Sequence, residues 1–464
     1  MKVKVKNLGV LKQAEFTLGD LTIICGGNNT GKTYATYALF GFLFTWQQIF
    51  SIKIKDDKIQ QLLTDGVIRL DLQEYVNQVE LEQIVAIACN AYTQRLPQIF
   101  AAPTERFKDT DFEVSIDLKN ISFADRFERT IGSANAQIFS LIKSEGSREL
   151  VITLLVDKER VKIPNEILKI TIANTLKDII FAKIIPRPFI ASVERTGAAI
   201  FRKELNFARN RLLEEMGQLN NNINPMELSF NISEDYALPI KTNVDFTREI
   251  ENIVRITSFI AKNHPDVLTY FADIIGGDYT VTRNDELYYV PKKDKQLKLS
   301  INQSSSAVRS LLDIGFYLKH EAQIGDLLMV DEPELNLHPE NQRRIARLFA
   351  RLVNLGIKVF ITTHSDYIIK ELNTLIMLNH DKPHLKRIAE EEGYREVELI
   401  SAEKIKVYIA EKASILLEGK KRKTQCQTLT PADIDPEMGI EARSFDTTIE
   451  TMNRIQEAIV WGKD

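Results

Sequence analysis

The stretch Leu21-Thr-Ile-Ile-Cys-Gly-Gly-Asn-Asn-Thr-Gly-Lys-Thr33 decides how the rest of the chain is read. A short apolar run enters a glycine-rich loop, and Thr33–Phe50 beyond it has the spacing of a helix. Strand, loop and helix in that order are what a phosphate-binding loop requires. Gly26-Gly-Asn-Asn-Thr-Gly31-Lys32-Thr33 fits G-x-x-x-x-G-K-[ST] at every position. Gly26 and Gly31 let backbone N–H groups approach phosphate oxygens, with Asn28 and Asn29 on the arch between them. Lys32 reaches the β- and γ-phosphates of ATP, and the Thr33 hydroxyl binds Mg2+. The helix that starts near Lys32 points its positive end at the anion.

Two further apolar runs end in chemistry-bearing residues. Leu327-Leu-Met-Val-Asp331-Glu332-Pro333 suits a Walker B strand: Asp331 holds Mg2+ through water and Glu332 polarises the attacking water. Ile361-Thr-Thr-His364-Ser365 places an imidazole where it can bond a γ-phosphate or that water. A helix over Glu340–Leu355 separates the two runs, and strands alternating with helices point to a parallel α/β sheet.

These three motifs, in this order, resemble the ABC-type ATPase head of SMC-like, RecF-like and OLD-family proteins. Asp331-Glu-Pro-Glu-Leu-Asn-Leu-His-Pro339 is similar to the matching stretch of bacterial OLD-type ATPases. The resemblance is carried by residues 1–45 and 295–370. It implies an α/β, ABC/SMC-like P-loop head assembled from both chain ends, with a mixed, largely helical insert. It also implies that ATP is closed between two copies, each lending the other a signature segment ahead of a helix. The matching place is Gln303-Ser304-Ser305-Ser306-Ala307-Val-Arg309, where the family's glycine is missing. Its plainer reading is a serine-rich helix cap. Leu335–His338 stands where the family's partner-touching loop lies, which makes His338 an interface candidate. The family's glutamine after a central strand is not evident. Phe189-Ile-Ala-Ser-Val-Glu194-Arg195-Thr-Gly197 takes its place, with Glu194 for a metal-linked role and Arg195 for phosphate or the opposing head. An ion pair at a strand end is the plainer alternative.

The remainder bounds the problem. A chain of 464 residues is long enough for two or three lobes. The expected division is a head of 1–45 plus 300–400, an insert of 46–299 and an extension of 401–464 packed on the head. Within the insert, strands at 105–195 should complete the head sheet and 200–277 should form a helical lobe, with helices over Phe207–Leu219 and Phe246–Ile275. The formal charge of -4 provides no overall basic field for nucleic acid, although Lys420-Lys-Arg-Lys423 is a local basic run. Met1–Lys6 is basic without an apolar run behind it, so no signal peptide is expected. The longest apolar stretch, Ala35–Trp46, falls short of the ~20 residues a membrane span needs. Cys25, Cys89 and Cys426 match no metal spacing and suit free thiols in a reducing cytoplasm. Glu418 and Asp433-Ile-Asp435 superficially match the acids of the Toprim nuclease found in OLD-family proteins, but they lie too close together for the βα units that must separate them.

A soluble ATPase head of this kind acts on a partner. The resemblance implies self-association and a role like that of the Septu and PARIS anti-phage ATPases, a sensor or scaffold for a separately encoded nuclease or toxin. A RecF-like repair ATPase binding DNA directly is the alternative, and a transporter subunit is a third reading that the long insert disfavours.

Overall fold

Six strands from widely separated parts of the chain pair into one sheet. They are β1 (Leu21–Cys25), β2 (Pro188–Ala191), β3 (Leu327–Asp331), β4 (Lys358–Thr363), β5 (Ile405–Leu416) and β6 (Lys423–Pro431), in the order β6-β5-β1-β4-β3-β2. The pairs from β5 through to β2 are parallel, and β5–β6 is an antiparallel hairpin. Every residue of β1 and β3 is buried, as is all of β4 after Lys358. Such unbroken apolar runs are what a parallel sheet covered on both faces demands. The computed structural model describes residues 1–117, 121–133, 136–156, 164–202, 236–282, 286–441 and 443–461.

The chain divides into two compact units. The smaller comprises Met1–Lys2, Phe42–Gln94 and Phe112–Arg187, and the larger Val3–Gly41, Arg95–Asp111 and Pro188–Asp464. The six-stranded sheet lies in the larger unit. There the helix Pro339–Asn354 packs Ile345, Leu348, Phe349 and Leu352 into the core, joined by Ile368, Leu372, Leu375 and Ile376 of the helix Asp366–Met377. Buried Glu371 ties the two helices, accepting from Arg343 Nε at 2.7 Å and Arg347 Nε at 2.5 Å.

Register positions the chemistry. Asp331 is opposite Thr362, Thr362 is opposite Ile24, and Thr363 is opposite Cys25. The phosphate loop, the acids and His364 therefore leave the sheet side by side at its C-terminal edge, where ligands of open α/β sheets bind.

Three expectations about organisation are corrected. Residues 405–431 are not an extension packed on the head: β5 pairs directly with β1 and brings β6 with it. Of the strands at 105–195, only Pro188–Ala191 enters that sheet. Phe127–Ser133, Ala136–Lys143 and Glu149–Leu154 instead form an antiparallel sheet in the smaller unit, with Val67–Asp71 on the far side of Glu149–Leu154. Consecutive strands joined by short turns pair locally at less loop-closure cost than they would distantly. The helix expected over 246–275 is broken into shorter ones. Pro265 opens Pro265–Ile275, and Ser258 caps Phe259–Asn263 by accepting from Ala261 N at 2.9 Å. The helix expected over 207–219 lies outside the described residues. Among the described residues no helix is long and apolar enough to cross a membrane.

Candidate functional site

β1 delivers the chain into the loop at Gly26. That residue has φ +143°, and a Cβ there would lie 2.6 Å from the carbonyl oxygen of Ala410. Gly31 has φ +100°, and its Cβ would lie 2.7 Å from Leu11 Cγ. Both positions exclude a side chain, by conformation and by contact. Asn29 also takes a positive φ, of 59°, which asparagine tolerates better than most residues. Gly27, Asn28 and Asn29 are exposed, while Lys32 is buried inside the arch. Its Nζ donates to Gly26 O at 3.0 Å and Gly27 O at 2.8 Å. Thr33, in the first turn of the helix Lys32–Ile49, is exposed.

β3 ends in Asp331, which is completely buried. The Thr362 hydroxyl donates to its Oδ1, and Oδ2 has no hydrogen-bond partner among the described residues. Burial pushes the Asp331 carboxyl up to about 6, against the lowering effect of the Thr362 bond. A buried, unpartnered carboxylate oxygen costs free energy until a cation or its water meets it. With the exposed Thr33 hydroxyl, it fits Mg2+ held mainly by phosphate and water. Among the described residues no cluster of three or more His, Cys, Asp or Glu placed to hold a metal occurs.

Glu332 follows at φ +51°, a left-handed conformation that costs a non-glycine residue about 1–2 kcal/mol. Its N–H donates to Thr362 O and Oγ1, both at 3.2 Å, and its carbonyl accepts from Arg195 Nη2 at 2.8 Å. His364 Nδ1 lies 3.6 Å from Glu332 Oε1 and 3.2 Å from Glu334 Oε1. His364 and the two glutamates are thus brought together.

Glu334 is the residue that motif reading passed over. Its Oε1 accepts from the Thr363 hydroxyl at 2.9 Å and from His364 N–H at 2.8 Å, pinning the end of β4 to the turn after β3. Its Oε2 is buried without a partner among the described residues, and burial raises its pKa. Its place as the second glutamate of the Asp331–Pro339 stretch was its only signal. Thr362, the partner of Asp331, gave none beyond strand propensity.

Other expected site residues are placed differently. Arg195 was expected at phosphate or an opposing head. It is 1% exposed and donates to Ser192 O, Asp331 O and Ser310 O at 2.7 Å, besides Glu332 O. Only backbone carbonyls receive those bonds, so that expectation is corrected. Glu194 is exposed and accepts from Tyr37 Oη at 3.1 Å. Ser304 is buried with its hydroxyl given to Ser300 O at 3.0 Å, which removes it from any phosphate contact. Ser305 caps the helix Ser306–Ser310 through Val308 N, and Ser305 and Ser306 are exposed. His338 is exposed and caps Pro339–Asn354, accepting from Glu340 N at 3.3 Å. Glu418 carries ion pairs with Lys4 and Lys6, each at 2.8 Å, which hold its carboxyl down at about 2.

The profile of the AAA ATPase domain family matches residues 1–369, the phosphate loop, both acids and His364 included. The chain belongs to the AAA ATPase domain family. This AAA ATPase domain matches no curated protein. Among solved structures it is similar to the SMC head domain from Thermotoga maritima, at 10% identity over 93% of this chain and 98% of that one, TM-score 0.31. An SMC head bound to the C-terminal winged-helix domain of ScpA gives 12% identity, 92% and 97% coverage and TM-score 0.32. An SMC head with an extended coiled coil, bound to the C-terminal domain of ScpA derived from Pyrococcus furiosus, gives 13% identity, 98% coverage of both chains and TM-score 0.30.

Proposed function

We propose that this AAA ATPase binds Mg2+-ATP between two copies of itself and hydrolyses it. The observation that carries the reading is the buried, unpartnered Asp331 Oδ2, set beside Glu332 and His364 at the sheet edge where the phosphate loop opens. Lys32 exchanges its loop carbonyls for β- and γ-phosphate oxygens, and loop N–H groups from Gly26 to Thr33 complete the cradle. Thr33 and Asp331 hold the magnesium ion, which when bound neutralises phosphate charge. Glu332 takes a proton from the attacking water. With His364 Nδ1 facing Glu332 and Glu334, Nε2 is the ring nitrogen left for the γ-phosphate or that water. Ser305 and Ser306 of the second copy meet the same phosphate from the other side.

The test is Glu332→Gln. Turnover should fall by about 100-fold or more, the size of a lost general base. ATP should stay bound, and light scattering should report a dimer that wild type forms only transiently. Rapid turnover in that variant, or full activity from an isolated monomer, defeats the reading.

The engine is proposed to serve as sensor or scaffold of a bacterial anti-phage system, controlling a separately encoded nuclease or toxin. Support comes from the Asp331–Pro339 likeness and from the helix Arg443–Trp461, where Met452, Ile455, Ile459, Val460 and Trp461 are all exposed, as at a protein-docking face. Co-purification of a neighbouring nuclease or toxin, altered by ATP, checks it. The RecF-like alternative draws on Lys420–Lys423, exposed where the turn after β5 enters β6. Salt-sensitive, ATP-dependent DNA binding by the purified chain would favour that second reading.

A further inference from the structure

Arg195 joins three parts of the site that the sequence keeps apart. Its Nη1 bridges Ser192 O, just past β2, and Asp331 O, at the end of β3. Its Nη2 holds Glu332 O, and its Nε holds Ser310 O, the last residue of the short helix that the serine segment opens. The guanidinium is planar and its N–H groups point in fixed directions, so these carbonyls are fixed relative to one another. The surroundings are equally tied. Asn243 accepts from Ser192 N at 2.7 Å and donates to Ile190 O, and Thr247 donates to Asp313 Oδ1 at 3.3 Å. Asp313, three residues past Ser310, is buried near the guanidinium.

We infer that Arg195 is a positioning residue that couples the two nucleotide sites of the dimer. The inference rests on the sandwich reading above. In that arrangement the serine segment of one copy meets nucleotide on the other copy, while Glu332 of the same chain acts on its own nucleotide. Among the described residues, Arg195 is the single side chain bonded both to the backbone of Glu332 and to the end of the serine-segment helix. A shift of Ser306–Ser310 on closure is passed through Nε and Nη2 to the peptide that holds Glu332 in its left-handed conformation. Each site then fires only when its own chain's serine segment has engaged nucleotide across the interface, and hydrolysis becomes cooperative between sites.

The test is Arg195→Lys in the full chain. One ammonium at the Nη1 position can keep Ser192 O and Asp331 O, but it cannot also span to Ser310 O. The expected result is a folded protein whose kcat is at least ~10-fold lower, with ATP affinity in the Glu332→Gln background within about threefold. The Hill coefficient for hydrolysis should drop from about 2 to about 1. Wild-type kcat and Hill coefficient in Arg195→Lys overturn the coupling. So does an equal loss of rate, affinity and melting temperature, which marks a mere structural staple. If Arg195→Lys does not fold, hydrogen exchange settles the matter in a protein with Arg195 intact. ATP added to Ser306→Arg, whose bulk prevents closure, should protect the phosphate loop but not the amides of 331–335. Protection of 331–335 without closure overturns the proposal. Wild type that hydrolyses nothing, or works fully as a monomer, refutes the sandwich itself. A dimer that hydrolyses with independent sites refutes only the coupling.

Discussion

Asp313 is a buried carboxyl that the reaction does not use. Burial pushes it up to about 7, while Arg195 and the Thr247 hydroxyl pull it down. In the unfolded chain it titrates near ~3.9. Between these values the folded state holds the proton and the unfolded state does not, so stability is greatest below the lower value and falls as pH rises through the higher one. The effect across that window is on the order of 4 kcal/mol. Asp313→Asn should therefore melt higher than wild type above pH 7, with the difference shrinking toward pH 4, as thermal scans at several pH values would record. Lys32→Ala is expected to abolish nucleotide binding measured calorimetrically while leaving the fold intact, because among the described residues its ammonium bonds only the carbonyls of Gly26 and Gly27 in its own loop. At this scale the sequence was legible wherever a residue sits in a linear motif. Lys32 opens the helix after β1, Asp331 ends β3, and Glu332 and His364 directly follow β3 and β4. Arg195 was misread because its four acceptors are main-chain carbonyls from Ser192, Ser310, Asp331 and Glu332, and no pattern of side chains announces a main-chain acceptor.

Elements were legible where their termini carry chemistry. β3 ends at Asp331, and the helix Pro339–Asn354 starts with proline behind a capping His338. The polar stretch before Leu150 hid Phe127–Ser133 and Ala136–Lys143, because the first is mostly polar and, in the second, Ile138 and Ile142 blur the alternation set by buried Phe139 and Leu141. The helices Pro339–Asn354 and Asp366–Met377 permit a test independent of nucleotide. Glu371→Ala strands Arg347, 13% exposed, against a vacated partner, with half-open Arg343 better able to find water. A cost of about 3 kcal/mol follows from breaking a buried pair on one side. Urea unfolding should resolve it, and specific ATPase activity of the folded fraction should be unchanged. Gly31→Ala attacks the loop instead: its Cβ would meet Leu11 at a φ few side chains adopt. Loss of ATP affinity of at least ~10-fold is expected, with a smaller change in melting temperature.

At the level of the whole molecule, the α/β class followed from three strand-to-loop transitions, but membership of the sheet did not. Nothing local in Ile405–Leu416 says that its neighbour is β1, almost four hundred residues earlier, because strand pairing across such a gap leaves no short-range pattern. Surface character is easier to forecast. Ile459 and Trp461 are 76% and 79% exposed, so replacing both with glutamate should leave the melting temperature unchanged and raise solubility at high concentration. Sedimentation velocity across a dilution series would register the difference.

The place of β1 between β4 and β5 has a consequence for biosynthesis. The phosphate-loop strand leaves the ribosome early, yet its two hydrogen-bonding neighbours emerge only after residues 358 and 405. At roughly ten residues per second, β1 waits about half a minute or more with both edges bare. The antiparallel sheet of the smaller unit, complete by residue 154, has no such delay. Nascent chains stalled before residue 405 should thus remain sensitive to protease around Leu21–Cys25 and retain no nucleotide, so a translational pause late in the message would prolong the period in which an apolar strand is open to aggregation.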